Sequence, residues 1–139
     1  MPCVLHISGE KFQPELALKI VTFKPYRVYY AGEKKKNKPN AVYSDSGFSV
    51  DVGEKENWDL SKQIQWAKTF IEKYIYELKA VSGADEMRFD FGYESRRGEN
   101  GTTMFCQSDY FKPEFLMLCG ELKIGIELSL YGTDSKSEQ

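Results

Sequence analysis

The sequence predicts an α+β domain built on a six-stranded, mainly antiparallel sheet, with three helices packed on one face. Three observations indicate this class. Several segments alternate apolar and polar residues with a period of two, as half-buried strands do. One long segment instead repeats apolar residues every three or four positions, as an amphipathic helix does. Short segments rich in Gly, Pro and Asn separate these patterns, as turns do.

Strands are predicted wherever the alternation is clear. It marks residues 3–7, 27–30, 48–52, 87–93, 102–106 and 124–131. The fifth of these strands is expected to be the hairpin partner of the fourth, because Asn100 and Gly101 between them are the preferred pair for a tight turn. The lysine-rich segment 32–40 lacks any alternation and is predicted to be a solvated loop.

The two short helices share the motif Phe-x-Pro-Glu, at residues 12–15 and 111–114. In both motifs the Pro fits the first helical position, where its missing N–H needs no helical partner. The first helix is expected to end before Pro25, and the third to stop at Gly120. Each motif follows a predicted strand and precedes another that ends in aromatic residues. The sequence therefore predicts two pseudo-repeated strand–helix–strand units on one sheet.

The long second helix is predicted over residues 60–78. Its apolar residues form one stripe: Leu60, Ile64, Ala67, Ile71, Tyr74, Ile75 and Leu78. Asn57 or Asp59 can cap its start, and Gly83 can close its end in the left-handed conformation. The opposite side carries both signs of charge, which favours a helix lying on a sheet over one lying on a membrane surface.

Size and composition predict a single domain. The chain has 139 residues, of which 41% are hydrophobic and 14% aromatic, and these values are ordinary for one globular domain. We expect this domain to span residues 1–132, followed by a disordered polar tail at 133–139. The sequence shows no signal-peptide pattern and no apolar run near the roughly 20 residues of a membrane span. A cytoplasmic location without a membrane partner is expected.

Charge and cysteine usage exclude several classes of function. A net charge of −2 argues against nucleic-acid binding, which normally needs a basic excess. The aromatic row Phe89, Phe91 and Tyr93 lies on one side of its strand and is predicted to be core, rather than a surface for stacking bases. The three cysteines form no C-x-x-C pair and are expected to be reduced thiols. We expect no metal site and no cofactor, since paired ligands and Gly-rich phosphate motifs are absent from the sequence.

The order of elements resembles the bacterial domain-of-unknown-function family 4279. The residues that carry the resemblance are the Phe-x-Pro-Glu helix after the first strand, Pro25, the pair Gly32 and Glu33, and a last strand ending in Tyr131. The similarity covers residues 3–131, nearly the whole chain. It implies a bacterial protein without a known activity, so no functional residue is transferred from it.

Five polar residues form the candidate binding site: His6, Asp51, Arg88, Asp90 and Glu127. By the period of two they point away from the apolar residues of their strands, so we expect them together on the sheet face opposite the helices. General acid–base catalysis needs such groups in a cleft, whereas this face is expected to be flat and wet. Ordinary cross-strand ion pairs are the simpler interpretation of these charges. No catalytic residue is assigned.

Two functions stay open. The first is a non-catalytic module whose charged face, or an exposed sheet edge, binds another protein; toxin-neutralising immunity proteins are one such category, by analogy alone. The alternative is a small-molecule-binding protein or hydrolase that uses carboxylates of the polar face. A pocket between the sheet and the long helix, lined by mixed polar groups, would favour the alternative. A flat charged face would favour protein binding.

Overall fold

The computed structural model describes residues 2–94 and 106–132. These residues form β1 (Cys3–Gly9), α1 (Pro14–Ile20), β2 (Arg27–Tyr29), β3 (Lys34–Lys35), β4 (Lys38–Val42), β5 (Ser46–Asp51), α2 (Leu60–Ala80), β6 (Glu86–Glu94), α3 (Pro113–Leu122) and β7 (Ile124–Tyr131). Five of the strands make one sheet in the order β2-β5-β1-β6-β7, and β3 and β4 make a separate two-stranded sheet. The α+β class and the three helices are confirmed.

The main sheet is mixed, because β7 runs parallel to β6 while the other pairs are antiparallel. Three of the four strand pairs are antiparallel, so the predicted mainly antiparallel sheet is roughly matched, with five strands among the described residues where six were predicted. β7 runs parallel to β6 because α3 returns the chain to the end of the sheet at which β6 begins, and β7 starts there. The hairpin partner predicted at 102–106 and the predicted tail at 133–139 lie outside the described residues, apart from Cys106, which belongs to no strand.

The lysine-rich connection is a small hairpin rather than the predicted loop. β3 and β4 pair antiparallel, with Lys35 opposite Lys38. Most of its side chains are exposed, so the prediction that the lysines are solvated is correct. β3 and β4 could not be predicted from alternation. Backbone hydrogen bonds hold them together, and neither strand has a buried face that requires apolar residues at every second position.

All three helices pack on one face of the sheet, which we call the helix-bearing face. Leu5 lies opposite Val50 on one side and Phe89 on the other, and all three side chains are buried. The helices contribute further members of the same core: Ala17, Ala67, Ile71, Leu78, Phe115 and Cys119. The predicted burial of the long-helix stripe, of Cys119 and of the aromatic row at Phe89 and Phe91 is thus confirmed.

The ends of α2 are set by side-chain and backbone geometry. Asp59 is the N-cap, and its side chain accepts a hydrogen bond of 3.0 Å from the backbone N–H of Ser61. At the other end the chain leaves the helix through Val81, whose backbone is extended. Gly83 has a positive φ of 82°, yet it lies beyond the helix end, so its predicted role as the closing residue is wrong.

The third helix is longer than predicted. It passes through Gly120 and ends at Leu122, with Lys123 in the left-handed conformation at φ 57°. Leu122 is buried, so the additional residues place one more apolar side chain in the core. This burial outweighs the tendency of Gly120 to end a helix, since Gly costs only about 1 kcal/mol relative to Ala inside one.

The two Phe-x-Pro-Glu units have the same element order and different spacing. Each helix links two parallel strands, but β5 lies between β1 and β2 whereas β6 and β7 are neighbours. The aromatic residue of each motif packs on the sheet: the ring centroids of Phe12 and Phe48, and those of Phe111 and Phe91, are 5.9 Å apart. The two units are therefore alike in element order and in the packing of the motif phenylalanine, and they differ in strand order.

Candidate binding face

The sheet face opposite the helices, which we call the polar face, carries all five predicted site residues. Asp51 and Asp90 both lie opposite Val4 of the central strand, one on each side. Arg88 lies opposite His6, and Glu127 lies opposite Asp90. The structure thus brings the five residues together on four adjacent strands.

Arg88 is held on this face by two carboxylates. Its Nε donates a hydrogen bond of 2.7 Å to Glu127, and its Nη1 lies 3.2 Å from Glu86. Burial alone would lower the pKa of Arg88, but the hydrogen bond to Glu127 and the charges of Glu86, Glu127 and Asp90 raise it. The guanidinium therefore stays protonated and is held in one orientation by two carboxylates.

His6 is hydrogen bonded to a serine, in an arrangement that does not suit catalysis. Its Nδ1 lies 2.8 Å from Ser49 Oγ, a distance typical of a nucleophile and its base. Ser49, however, is fully buried, so a substrate cannot reach its hydroxyl. Burial and the positive charge of Arg88 lower the pKa of His6, which favours the neutral ring. The pair fixes two neighbouring strands to each other.

The two aspartates of the face have different partners. Asp90 accepts a hydrogen bond of 2.7 Å from Ser129 on the neighbouring strand. Asp51 lies 3.8 Å from Lys55 through one oxygen, and its other oxygen is buried without a hydrogen-bond partner among the residues described. The carboxylates are therefore not paired with each other, as a shared-proton acid–base dyad would require.

Aromatic and cationic residues at the β2 side of the face were missed by the sequence analysis. The rings of Tyr29 and Tyr43 stack with centroids 4.5 Å apart, and the guanidinium of Arg27 lies 5.1 Å from the Tyr29 centroid. Tyr29 crosses over Gly47, where a Cβ would come within 2.7 Å of the Tyr29 hydroxyl. Alternation around the inward-facing Val28 was the signal that could have placed Arg27 and Tyr29 on this face.

Predicted site residues line two of the clefts in the described part of the chain. One of about 710 Å³ lies at the beginning of β6 and β7, where Arg88, Lys123 and Glu127 contribute to its walls. The other, of about 520 Å³, lies between β5 and α2 and is lined by Asp51, Lys73 and several aromatic residues. The five predicted site residues are thus divided between an open face and two separate clefts, and they do not converge on one cavity.

The thiols and the described acidic residues offer no metal site. Cys3, Cys106 and Cys119 are free, and the first and last are buried. Burial raises the pKa of Cys119 to about 11 and raises that of Cys3 as well, which makes both poor nucleophiles. Across residues 2–94 and 106–132, no group of three or more His, Cys, Asp or Glu side chains could hold a metal ion. No helix of this part of the chain could cross a membrane.

Comparison with protein-family models, curated proteins and solved structures finds no match to this chain. The resemblance to the bacterial domain-of-unknown-function family stays a prediction. The geometry of the polar face and of the clefts is therefore the basis on which a function can be inferred.

Proposed function

We propose that this protein is a non-catalytic binding module that docks another protein on the polar face of its sheet. The observation that carries the proposal is the position of Arg88 between Glu86 and Glu127, on two paired strands and on the face opposite the helices. Charged groups that are already oriented lose little conformational entropy when a partner binds, so they favour affinity and specificity.

The charges of the face indicate the chemistry of the partner. Five carboxylates project from its strands against two guanidinium groups: Asp51, Glu86, Asp90, Glu94 and Glu127, against Arg27 and Arg88. A partner surface with an excess of Lys or Arg would complement this balance. Electrostatic complementarity of this kind mainly accelerates association. A basic protein is the expected partner, and a toxin neutralised by an immunity-like protein is one example.

The experiment uses charge reversal at the middle of the face. Wild-type protein captures partners from an extract of the native host, and the captured protein is purified and its association rate measured at two salt concentrations. We expect Asp90→Lys to slow association by about tenfold at low salt and to reduce the salt dependence. Asp90→Asn, which keeps an acceptor for Ser129, should give a smaller loss in the same direction.

Glu72→Lys is the matched control, because Glu72 is exposed on α2, on the other side of the molecule. It makes the same change of charge as Asp90→Lys without touching the polar face. Equal association rates for Asp90→Lys and Glu72→Lys, with both proteins folded by circular dichroism, would exclude the polar face as the docking surface.

A second candidate function is supported by the cleft between β5 and α2. The rings of Phe23, Phe70 and Tyr74 lie within 5.1 Å of one another along one wall, and Lys24 and Lys73 stand at the same cleft. Its volume of about 520 Å³ lies within the usual range of small-molecule sites, about 300–1,000 Å³. This arrangement suits a flat apolar ligand with an anionic group. It draws on Asp51 alone among the five predicted residues.

The fluorescent aromatic sulfonate 1-anilinonaphthalene-8-sulfonate is a suitable probe for this cleft. Saturable fluorescence enhancement with native protein is expected, together with weaker binding to Lys73→Glu. Lys62→Glu serves as the control, because Lys62 is exposed on the same helix and does not line the cleft. Identical titrations of the two variants would contradict a ligand site in the cleft.

A further inference from the structure

The outer edge of β7 is built differently from the rest of the helix-bearing face. Leu128 lies opposite Phe91 and Leu130 lies opposite Tyr93, so both leucines point toward the side on which the helices pack. Phe91 is fully buried, yet Leu128 is 49% exposed and Leu130 is 58% exposed. The apolar pattern of the core thus extends to the outermost strand, β7, where the described part of the chain covers it only in part.

The neighbouring helix α3 adds apolar surface on the same side. Lys79 of α2 lies 2.9 Å from Glu121, which identifies the flank of α3 that faces α2. Leu116 lies five positions before Glu121 and is therefore rotated about 140° around the helix axis, toward β7. Leu116 is 45% exposed. We call Leu116, Leu128 and Leu130 the edge patch.

The other edge of the sheet lacks these features. β2 contains only Arg27–Tyr29 and follows shortly after Pro25, and short strands, charged side chains and prolines are the usual protections of a sheet edge. β7 has eight residues, and Glu127 is its single charged residue. Within the described chain it pairs on one side only, with β6. An edge of this kind is a template for another strand.

The sequence of β7 is complementary to itself in one antiparallel register. When two β7 strands pair, their apolar side chains lie on the same face only if even-numbered residues lie opposite even-numbered residues. Two registers satisfy this condition and pair most of the strand. One centres on Glu127 and sets its carboxylate against its own copy, which is destabilising. The other centres on Leu128 and pairs Ile126 with Leu130 of the second copy on the apolar side. On the polar side it sets Glu127 against a serine, Ser129.

We propose that two copies of this chain associate through antiparallel pairing of their β7 strands, with Leu128 at the two-fold axis and the two edge patches in contact. The product is a continuous ten-stranded sheet with the α3 helices side by side above the junction. β7 is about 27 Å long at roughly 3.3–3.4 Å per residue. The contact is about as high as one strand layer plus one helix, roughly 18 Å. Its length and height together correspond to a buried area on the order of 1,000 Å², counted over both copies.

This area is at the lower limit for a specific interface, so the dimer is expected to be weak, with a high dissociation constant. Sedimentation velocity of the full chain over a wide concentration range measures it. Leu128→Lys places two like charges at the axis and should weaken association at least about tenfold. Leu16→Lys is the control, because Leu16 is 51% exposed on α1, far from β7.

Cysteine cross-linking tests the register without relying on the charged variant. In a Cys106→Ser background with diamide as oxidant, Leu128→Cys should form an intermolecular disulfide rapidly, since opposite Cα atoms lie about 4.5–5.5 Å apart. Leu130→Cys is the control: four positions separate it from its own copy, about 13 Å. A wild-type chain that stays monomeric at millimolar concentration would overturn the proposal. So would equal cross-linking of Leu128→Cys and Leu130→Cys, or a dimer unaffected by Leu128→Lys.

Discussion

The two faces of the sheet are made by alternate residues of the same strands, yet different forces hold them in place. On the helix-bearing face, Leu5 and Phe89 are fully buried under helices, and the hydrophobic effect of such burial is about 1.5–3 kcal/mol per side chain. On the polar face, His6 and Arg88 are partly exposed and make hydrogen bonds and ion pairs. Exposed ion pairs contribute only about 0–1 kcal/mol. The partly exposed charged residues of the polar face can therefore change for binding without loss of the fold.

The largest difference between the faces is expected from truncation in the core. Ile71→Ala or Leu78→Ala removes a side chain that is almost completely buried and should lower the free energy of unfolding by about 2–5 kcal/mol. Lys68→Ala, on the same helix, should stay within about 0.5 kcal/mol of wild type. Urea denaturation measures all three, and similar losses at Ile71 and Lys68 would contradict the assignment of the buried stripe.

At Gly47, on the polar face, packing is expected to matter almost as much. In Gly47→Ala the new Cβ would meet the carbonyl oxygen of Ile7 at 2.5 Å and the Tyr29 hydroxyl at 2.7 Å. The strands or the Tyr29 ring must shift, at a cost of about 1–3 kcal/mol. At Gly125 the nearest atom would be 3.8 Å away, so Gly125→Ala should be close to neutral. Equal melting temperatures for the two variants would show that Tyr29 is not held over Gly47.

Removal of the central charge of the polar face should have a smaller effect. Arg88→Met keeps much of the aliphatic stem and loses both ion pairs, and the freed Glu86 and Glu127 are exposed enough to be hydrated. We expect a loss of about 1 kcal/mol or less. Lys79→Met is the comparison, because it breaks one exposed pair with Glu121 on the helices. A loss above about 2 kcal/mol for Arg88→Met would mean that the polar face stabilises the fold as a packed face does.

The smallest expected effect is a dependence of stability on pH through His6. Its pKa is lowered in the folded protein, mainly by burial, so the unfolded chain binds the proton more readily. The stability that depends on the neutral ring is present above the unfolded pKa of about 6.5 and is lost as pH falls below it. His6→Gln should make the urea midpoint less sensitive to pH between about 7.5 and 5.5. An unchanged pH dependence would remove His6 as its source.

Much of the candidate face could be predicted because a strand permits only two orientations of a side chain. Alternation at residues 87–93 predicts that Arg88 and Asp90 lie on the other face of the strand from the buried Phe89, and the structure places them there. The contacts could not be predicted in the same way. That Arg88 bonds to Glu127 depends on β6 and β7 being neighbours, and strand order is set by long-range packing that no local pattern records.

The missed elements share a physical cause. The β3–β4 hairpin is mostly exposed, and its strands are held together by backbone hydrogen bonds. Its side chains therefore need no alternation of apolar and polar residues. The burial of Gln63 inside the long-helix stripe is a second case. Its amide donates to the carbonyl oxygens of Asn57 and Gly92 at 2.9 and 2.8 Å, and the carbonyl of Gly92 is brought near only by the folded sheet. A polar residue at such a position is predicted to be exposed unless its tertiary partner is known.

Side-chain periodicity was sufficient to predict the α+β class, the three helices and the strand face of each candidate residue, because these follow from periods of two and of about 3.6 residues. Only the folded chain shows the strand order, the parallel β6–β7 pair, the hydrogen-bonded pair of His6 and Ser49, and the exposed edge patch on α3 and β7. These features depend on which distant segments become neighbours, and the free energy of that choice is spread over the whole core.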